Sequence, residues 1–441
     1  MLKPVPVLIA LCLSAGLSAC AVTAVPALTP TASAPTIGAP LYTPTATDGT
    51  VGPALPESSP VLTVWTTERV VPSEDTVSGE ELLAQLAAFD ESHPDIQVEF
   101  YVKRVSGPGS TLAYLRSAPP VAPGILPDLA LVDRDTLVQA AAEGLIVPIE
   151  TLVDPAIVSA LYPAASQLGT VGGQLMGLPY VLEVQHVVYR ETAFEQPPAS
   201  FEAVLASPIP YVFPAGTLGS VSHTLLLQYM AAGGRLSDEA GVPVLDVVPL
   251  TQVLDFYVQA HEAGKVDTAL FQITDPAETW HMYLERRAGL AVVTSTLYLA
   301  RRSEARSTGL CWIPTPTGEP FALASGWSWV VVTSDPDQQA RAMALVNFLM
   351  NPVNQGTYTQ AAGWLPSQQA ALAVWGDDDP YLSFGHQLLS NARPLPDASL
   401  RAVAGPAIQD ALEDVLLNGV APAQAATRAA QLVNPPGTPQ P

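Results

Sequence analysis

Cysteine is scarce in this chain, with three among 441 residues, at positions 12, 20 and 311. The first two fall in or beside an N-terminal segment that reads as removable or modified. Cys311 is then left without a partner, so no internal disulfide can brace the fold and burial alone must hold it. Basic residues are also scarce. Lysine and arginine total 18 against 41 acidic residues, a formal charge of -23. That balance argues against nucleic acid and anionic lipid head groups as partners, because both are bound through basic patches. It leaves neutral and cationic ligands open. Beyond the N-terminus no apolar run is long enough to span a bilayer. The six histidines are scattered, and His261-Glu262 is followed by Ala263-Gly264, which breaks the His-Glu-x-x-His zinc pattern. A Gly-x-Ser-x-Gly elbow is missing as well. No cofactor and no metal site is expected.

What is present begins with a secretory pattern. Residues 1–19 carry one basic residue, Lys3, then an apolar run and small residues. They end in Leu17-Ser18-Ala19-Cys20, which resembles the lipobox of bacterial lipoproteins, where the chain is cut before the cysteine and its thiol carries a diacylglycerol. Cys20 is accordingly the expected lipidation site and membrane anchor, on the outer face of the cell membrane. Residues 20–60 are rich in Pro, Thr, Ala and Ser and cannot bury enough apolar area to fold, so they are expected to form an extended tether. A flexible chain of ~40 residues reaches roughly 35 Å. The tail 435–441 is expected to be unstructured, and the length of the remainder makes two domains the default.

Order is expected from Val61-Leu62-Thr63-Val64-Trp65, a buried strand. Ser78-Gly79-Glu80-Glu81 reads as a capping box before a helix that His93-Pro94 stops, and Ile96, Val98, Phe100 and Val102 alternate as a second strand. Residues 127–133 form another apolar strand, followed by a helix that Gly144 ends. This alternation predicts an α/β fold with a mostly parallel sheet flanked by helices. Ligands of such sheets sit beyond the carboxyl ends of the strands. The candidates there are Trp65 and Thr66 after the first strand, and Asp133 and Arg134 after the later one. Core packing is an equal reading for Trp65, and helix capping for the acidic residues on either side of Arg134.

The stretch 172–190 organises the rest. Gly172-Gly173 makes a turn, Pro179 cannot donate to a ladder, and Glu183 interrupts the apolar residues around it. A carboxylate is costly to bury unless something bonds it, so the stretch reads either as a crossing through an open cleft between two lobes or as an edge strand with Glu183 in water. A second alternating region follows. Within it the buried strand 289–293 runs out into Thr294-Ser295-Thr296-Leu297-Tyr298. Trp327 opens a further strand, and residues 352–432 are mainly helical, broken at Trp364-Leu365-Pro366.

The order of these elements resembles that of the family 1 extracellular solute-binding proteins, the carbohydrate-binding components of bacterial ABC importers. The likeness rests on the strand ending in Trp65, on Pro127-Asp128 with Asp133, and on Gly177-Leu178-Pro179-Tyr180 followed by Glu183 and Tyr189. Ser200-Phe201-Glu202, Gly326-Trp327 and Gly363-Trp364-Leu365-Pro366 extend it. It implies a two-lobed periplasmic-binding-protein fold of type II, with the ligand trapped at the hinge. Lobe 1 would take 61–182 plus about 321–351, and lobe 2 would take 187–317 plus about 352–434. It also implies Glu183 as a sugar-bonding carboxylate, Asp133 and Arg134 as polar ligands, and Tyr298 as a stacking ring, with Trp65, Trp327 and Trp364 as further stacking candidates. A carboxylate accepts two hydroxyl bonds with charge assistance, and an aromatic face covers the C–H face of a pyranose. The implied partners are a small solute, most naturally a mono- or oligosaccharide, and the transmembrane subunits of an ABC permease, with the receptor a monomer. Arg286-Arg287-Ala288-Gly289 departs from the family's usual Gly-Lys-Ala-Ala-Met, and lysine is nearly absent. An exported carbohydrate-active enzyme, which needs no more than two carboxylates, and a surface scaffold without ligand remain the alternatives.

Overall fold

The computed structural model describes residues 40–42, 60–118, 123–217 and 220–434. The signal-like segment, Cys20, most of the expected tether and the tail 435–441 lie outside the described residues.

The first region alternates as its hydrophobic pattern predicts: β1 (Val61–Thr67), α1 (Val77–Ser92), β2 (Gln97–Lys103), α2 (Thr111–Ser117), β3 (Leu129–Asp133) and α3 (Arg134–Ala142). The cap of α1 is Thr76, whose hydroxyl accepts from Gly79 N–H at 3.0 Å, and not the Ser78 of the expected capping box. Prolines start α4 (Pro155–Ala160) and α5 (Pro163–Gly169), where the missing N–H costs nothing. A hairpin of β4 (Thr170–Val171) and β5 (Gln174–Leu175) turns on Gly172 and Gly173 at φ 57° and 83°, the pair of left-handed residues that a type I′ turn requires.

Next come β6 (Leu178–Glu183) and β7 (Gln185–Arg190), separated by Val184 alone. They belong to different sheets. The second region holds α6 (Phe201–Leu205), β8 (Tyr211–Val212), α7 (His223–Ala231), α8 (Val247–Glu262), α9 (Pro276–Leu284), β9 (Leu290–Thr294), α10 (Ser295–Arg301) and β10 (Thr308–Cys311). The chain then returns through β11 (Ala322–Val331), α11 (Pro336–Leu349), α12 (Pro352–Ala362), β12 (Leu365–Pro366), α13 (Gln369–Ala373), α14 (Leu382–Ser390) and β13 (Ala392–Pro394). It ends in α15 (Ala398–Leu417) and α16 (Pro422–Val433).

The larger sheet has seven strands in the order β12-β6-β11-β3-β1-β2, with β13 beside β11; the smaller has four, β10-β7-β9-β8. Both are mixed, where a mostly parallel sheet was expected. Parallel pairing holds for β1 with β2 and β3, but β11 runs antiparallel to β3 and β6, and β7 antiparallel to β9 and β10. The reason is connectivity: β7 and β11 enter their sheets by crossing from the other sheet, so no right-handed βαβ unit sets their direction. Pro179 also stays inside the ladder, opposite Ser328, and a register shift at Trp327/Ser328 absorbs its missing donor.

The segment 352–434, expected to join the second lobe, divides between the sheets. β12 pairs with β6 and β13 with β11, whereas α15 and α16 pack on α8. Small residues make the last contact close: Ala425, Ala426, Ala429, Ala430 and Val433 share the buried stripe of α16. Residues 40–42, expected within the tether, lie on the fold, where Leu41 N–H donates to Phe100 O at 2.7 Å.

Candidate functional site

The residue between the two sheets is Val184, and its backbone is held on both sides by one buried serine. Val184 N–H donates to Ser295 Oγ at 3.2 Å, and Ser295 N–H donates to Val184 O at 2.8 Å. This reciprocal pair sets the end of β6 against the start of α10. Thr294 caps that helix, accepting from Leu297 N–H at 3.1 Å, and Thr294 and Thr296 share a hydroxyl–hydroxyl bond of 2.9 Å. The Thr296 hydroxyl donates to the Glu183 carboxylate.

Strand register supplies the remaining walls. Ser325 of β11 lies opposite Glu183, and the pairing of Leu365 with Leu182 places Trp364 opposite Glu183 on the other side. Gly363 precedes it at φ 69°, and a side chain there would meet Thr296 O, Leu299 and Ala300 of α10 between 3.5 and 3.6 Å. Two residues farther along, Trp327 pairs with both Asp133 and Val181. Glu183 and Asp133 thus stand near the line where the sheets meet, with Thr294, Thr296 and Ser325; Trp327 and Trp364 lie beside them in register but are 8 % and 7 % exposed, packed in the apolar core.

Glu183 is partly exposed, and burial pushes its carboxyl above the usual range despite the opposing effects of Thr296, Arg69 and Thr294. Its desolvation is therefore not fully offset in the empty protein. A ligand that donated hydroxyls to it would supply the missing bonds. Asp133 is raised in the same direction, by burial first, although it accepts from Thr136 N–H at 2.7 Å as the cap of α3. It also walls a cavity of about 450 Å³ with Ser110, Arg116 and Thr136.

Four candidates are placed elsewhere. Trp65 is wholly buried, edge-on to Tyr114, with the Lys103 ammonium 4.5 Å above its ring. Thr66 is wholly buried and donates to Val70 O, fixing the loop after β1. Arg134 spends its guanidinium on the scaffold: Nε donates to Asp397 at 2.9 Å, and Nη1 donates to Leu168 O at 3.0 Å and Thr170 O at 2.7 Å. Its neighbour Asp135 accepts from Arg401 at 2.6 Å and from Ala398 N–H at 3.1 Å, so crossed ion pairs join the start of α3 to the start of α15. Tyr298 is 7 % exposed, stacked on Tyr381 at 5.5 Å and edge-on to His186 and Trp280, and it lines a cavity of about 700 Å³ with Tyr189, Arg302 and Phe384 that does not include Glu183. Thr294 and Thr296 were not anticipated as site residues; the Thr-Ser-Thr run at a strand end was their signal, since it is also a helix-cap pattern.

The aromatic cluster beneath the site carries a pH dependence. His186 is wholly buried between Tyr298, Tyr381 and Phe384, and burial pushes its imidazole down to about 4. A histidine held below its unfolded value adds stability above pH ~6.5 and loses it as pH falls toward the folded value. The loss is on the order of 3 kcal/mol once pH is below both values. Glu183 and Asp133, raised on folding, work in the opposite direction. The fall in melting temperature between pH 7 and 4 is therefore expected to be smaller in His186→Leu than in the parent, and equal slopes in a calorimetric pH series would exclude the effect.

Among the described residues no group of His, Cys, Asp or Glu is placed to hold a metal ion, and no helix is long and apolar enough to cross a membrane. Cys311 is buried and unpaired, its thiol pushed well up by burial.

Residues 84–382 match the family model described as bacterial extracellular solute-binding protein. A search of curated proteins by sequence found no match. Among solved structures, the fold is similar to the cyclic alpha-maltosyl-1,6-maltose binding protein from Arthrobacter globiformis, with a TM-score of 0.69 and 18 % identity over 85 % of this chain and 98 % of that one. It is also similar to the sugar-binding protein MalE from Xanthomonas citri, with a TM-score of 0.68 and 18 % identity over 85 % and 96 % of the two chains. The family 1 extracellular solute-binding protein from Alicyclobacillus acidocaldarius gives 0.64 and 19 % identity over 85 % and 98 %.

Proposed function

We propose, for a chain that belongs to the bacterial extracellular solute-binding proteins, that it captures a small saccharide between its two lobes and offers the closed form to an ABC importer's permease. Lobe 1 comprises 61–183 with 322–394, and lobe 2 comprises 185–311 with 398–434. The lobes are joined at Val184, at 312–321 and at 395–397, and the body is held at the membrane by a lipid on Cys20. Binding without turnover is the activity.

The observation that carries this reading is the partly exposed Glu183 carboxylate beside the single-residue crossing between the sheets. It stands on β6 of one lobe and is bonded by Thr296 of the other, with Trp364 opposite. A ligand bonded there touches both lobes at once. That contact biases an open-to-closed equilibrium, which a ligand confined to one lobe would leave unchanged. Saccharide is the class favoured by a carboxylate and hydroxyl partners on one line, and by the sugars named for the structural relatives.

Thermal unfolding of the protein from Ala21 onward tests this against neutral mono- and oligosaccharides, sugar acids, amino acids and polyamines. One sugar group is expected to raise the transition, by about 2.7 kcal/mol at a hundredfold excess over its Kd. A response to amino acids or polyamines alone would replace the substrate class, and hydrolysis of a glycoside would replace the function.

A further inference from the structure

We propose that Leu41 and Tyr42 are an added edge strand that docks the N-terminal segment on β2, so that the line from the anchor leaves the body at Pro40 and not at Pro60. The inference rests on the lipid-anchor part of the proposed function for its consequence, but not for its geometry.

β2 is the outermost strand of the larger sheet. An open edge of that kind presents unpaired N–H and C=O groups to any passing chain, and folded proteins cover or blunt such edges. Here Leu41 N–H donates to Phe100 O at 2.7 Å, and Phe100 N–H donates to Tyr42 O at 3.4 Å, two residues against one, as in a bulged antiparallel bridge. The side chain adds a second hold. Tyr42 is the one aromatic residue between Ala21 and Pro60. Its ring packs against the apolar core, and its hydroxyl donates to Asp90 of α1.

Asp90 is the independent observation. It stands in the last turn of α1, where a carboxylate faces the negative end of the helix dipole and gains nothing locally. Among the described residues its Oδ1 is buried without a hydrogen-bond partner, and the Tyr42 hydroxyl supplies the bond to its Oδ2, so removing Tyr42 leaves both oxygens without a side-chain donor there. Burial raises the Asp90 carboxyl, as expected for an acid kept where water does not reach it freely.

The consequence concerns reach. Residues 42 and 60 are both held on the body, so the chain between them adds nothing to the distance from the membrane.

Hydrogen exchange read by mass spectrometry on the protein from Ala21 onward tests the docking. The peptide covering β2 and the amide of Leu41 are expected to be protected in the parent, and both to exchange about tenfold or more faster in Tyr42→Ala. Tyr42→Phe, which keeps the ring and the backbone pair, should lie between the two. Affinity for whichever solute binds is expected to stay within about twofold in all three proteins, because Tyr42 lies outside the site. Equal β2 exchange in parent and Tyr42→Ala, with Leu41 exchanging at unstructured rates, would overturn the docking whatever the protein binds. The failure of every solute in the thermal panel would leave these exchange rates unaffected.

Discussion

Glu183→Ala is expected to abolish the solute-induced rise in melting temperature while moving the empty protein's own transition by no more than about 1 °C, on the order of 1 kcal/mol for a body of this size. The first half follows from charge. A carboxylate accepting two ligand hydroxyls contributes about 1.5–3 kcal/mol for each bond, so its removal costs roughly a hundredfold or more in affinity. The second half follows from the direction in which Glu183 is displaced in the empty protein. Its carboxyl is raised because burial outweighs Thr296, Arg69 and Thr294, so the ionised group does not pay its own way in the unliganded fold. Glu183→Gln separates size from charge: the amide keeps the volume and one acceptor, and an intermediate affinity is expected. Calorimetric titration of parent, Ala and Gln variants gives both quantities. If Glu183→Ala binds as the parent does, the crossing is not the site. If it melts far lower, the residue is structural.

Tyr298→Ala is expected to lower folding stability by about 3–5 kcal/mol, the cost of emptying a packed aromatic position. This is the reverse of what a sugar-stacking ring at the surface of a cleft would do. The ring is 7 % exposed and packs against Tyr381, His186 and Trp280, and these neighbours come from three separate elements that cannot collapse together into the space it would leave. Tyr298→Phe keeps the packing and is expected to be tolerated within about 1 kcal/mol, since the ring keeps its aromatic neighbours and the residue lines a cavity beside Arg302 and Phe384. Urea unfolding with a common slope measures both. A Tyr298→Ala protein that kept its midpoint and lost its ligand would restore Tyr298 to the site.

The misplacement of Tyr298 shows where local pattern stops being informative. Residues 294–298 continue an apolar strand, and in a strand Thr294, Thr296 and Tyr298 would share one face. The chain becomes helical at Ser295 instead, with Thr294 as its cap. Each helical residue then turns about 100°, so Tyr298 points roughly opposite to Thr296: the threonine meets Glu183 and the tyrosine enters the core. Arg134 was misread for a different reason. Its type and position suit a ligand contact, but Asp397 stands 263 residues away, and no local signal says that a distant helix will begin there.

The amino-acid sequence by itself determined the alternation of strands and helices and the prospect of two regions with separate cores, and it narrowed the Glu183 stretch to a crossing or an edge strand. All of these are carried by periodicity and by the cost of an unpaired charge, which act over a few residues. The direction of β7 and β11, the division of 352–434 between two sheets, and the docking of Tyr42 on β2 were decided by tertiary structure. So was the choice of which aromatic rings reach the crossing. Each depends on which edge or face remains open when a remote segment arrives, and in strand pairing every residue offers the same backbone groups, so side-chain pattern alone cannot name the partner.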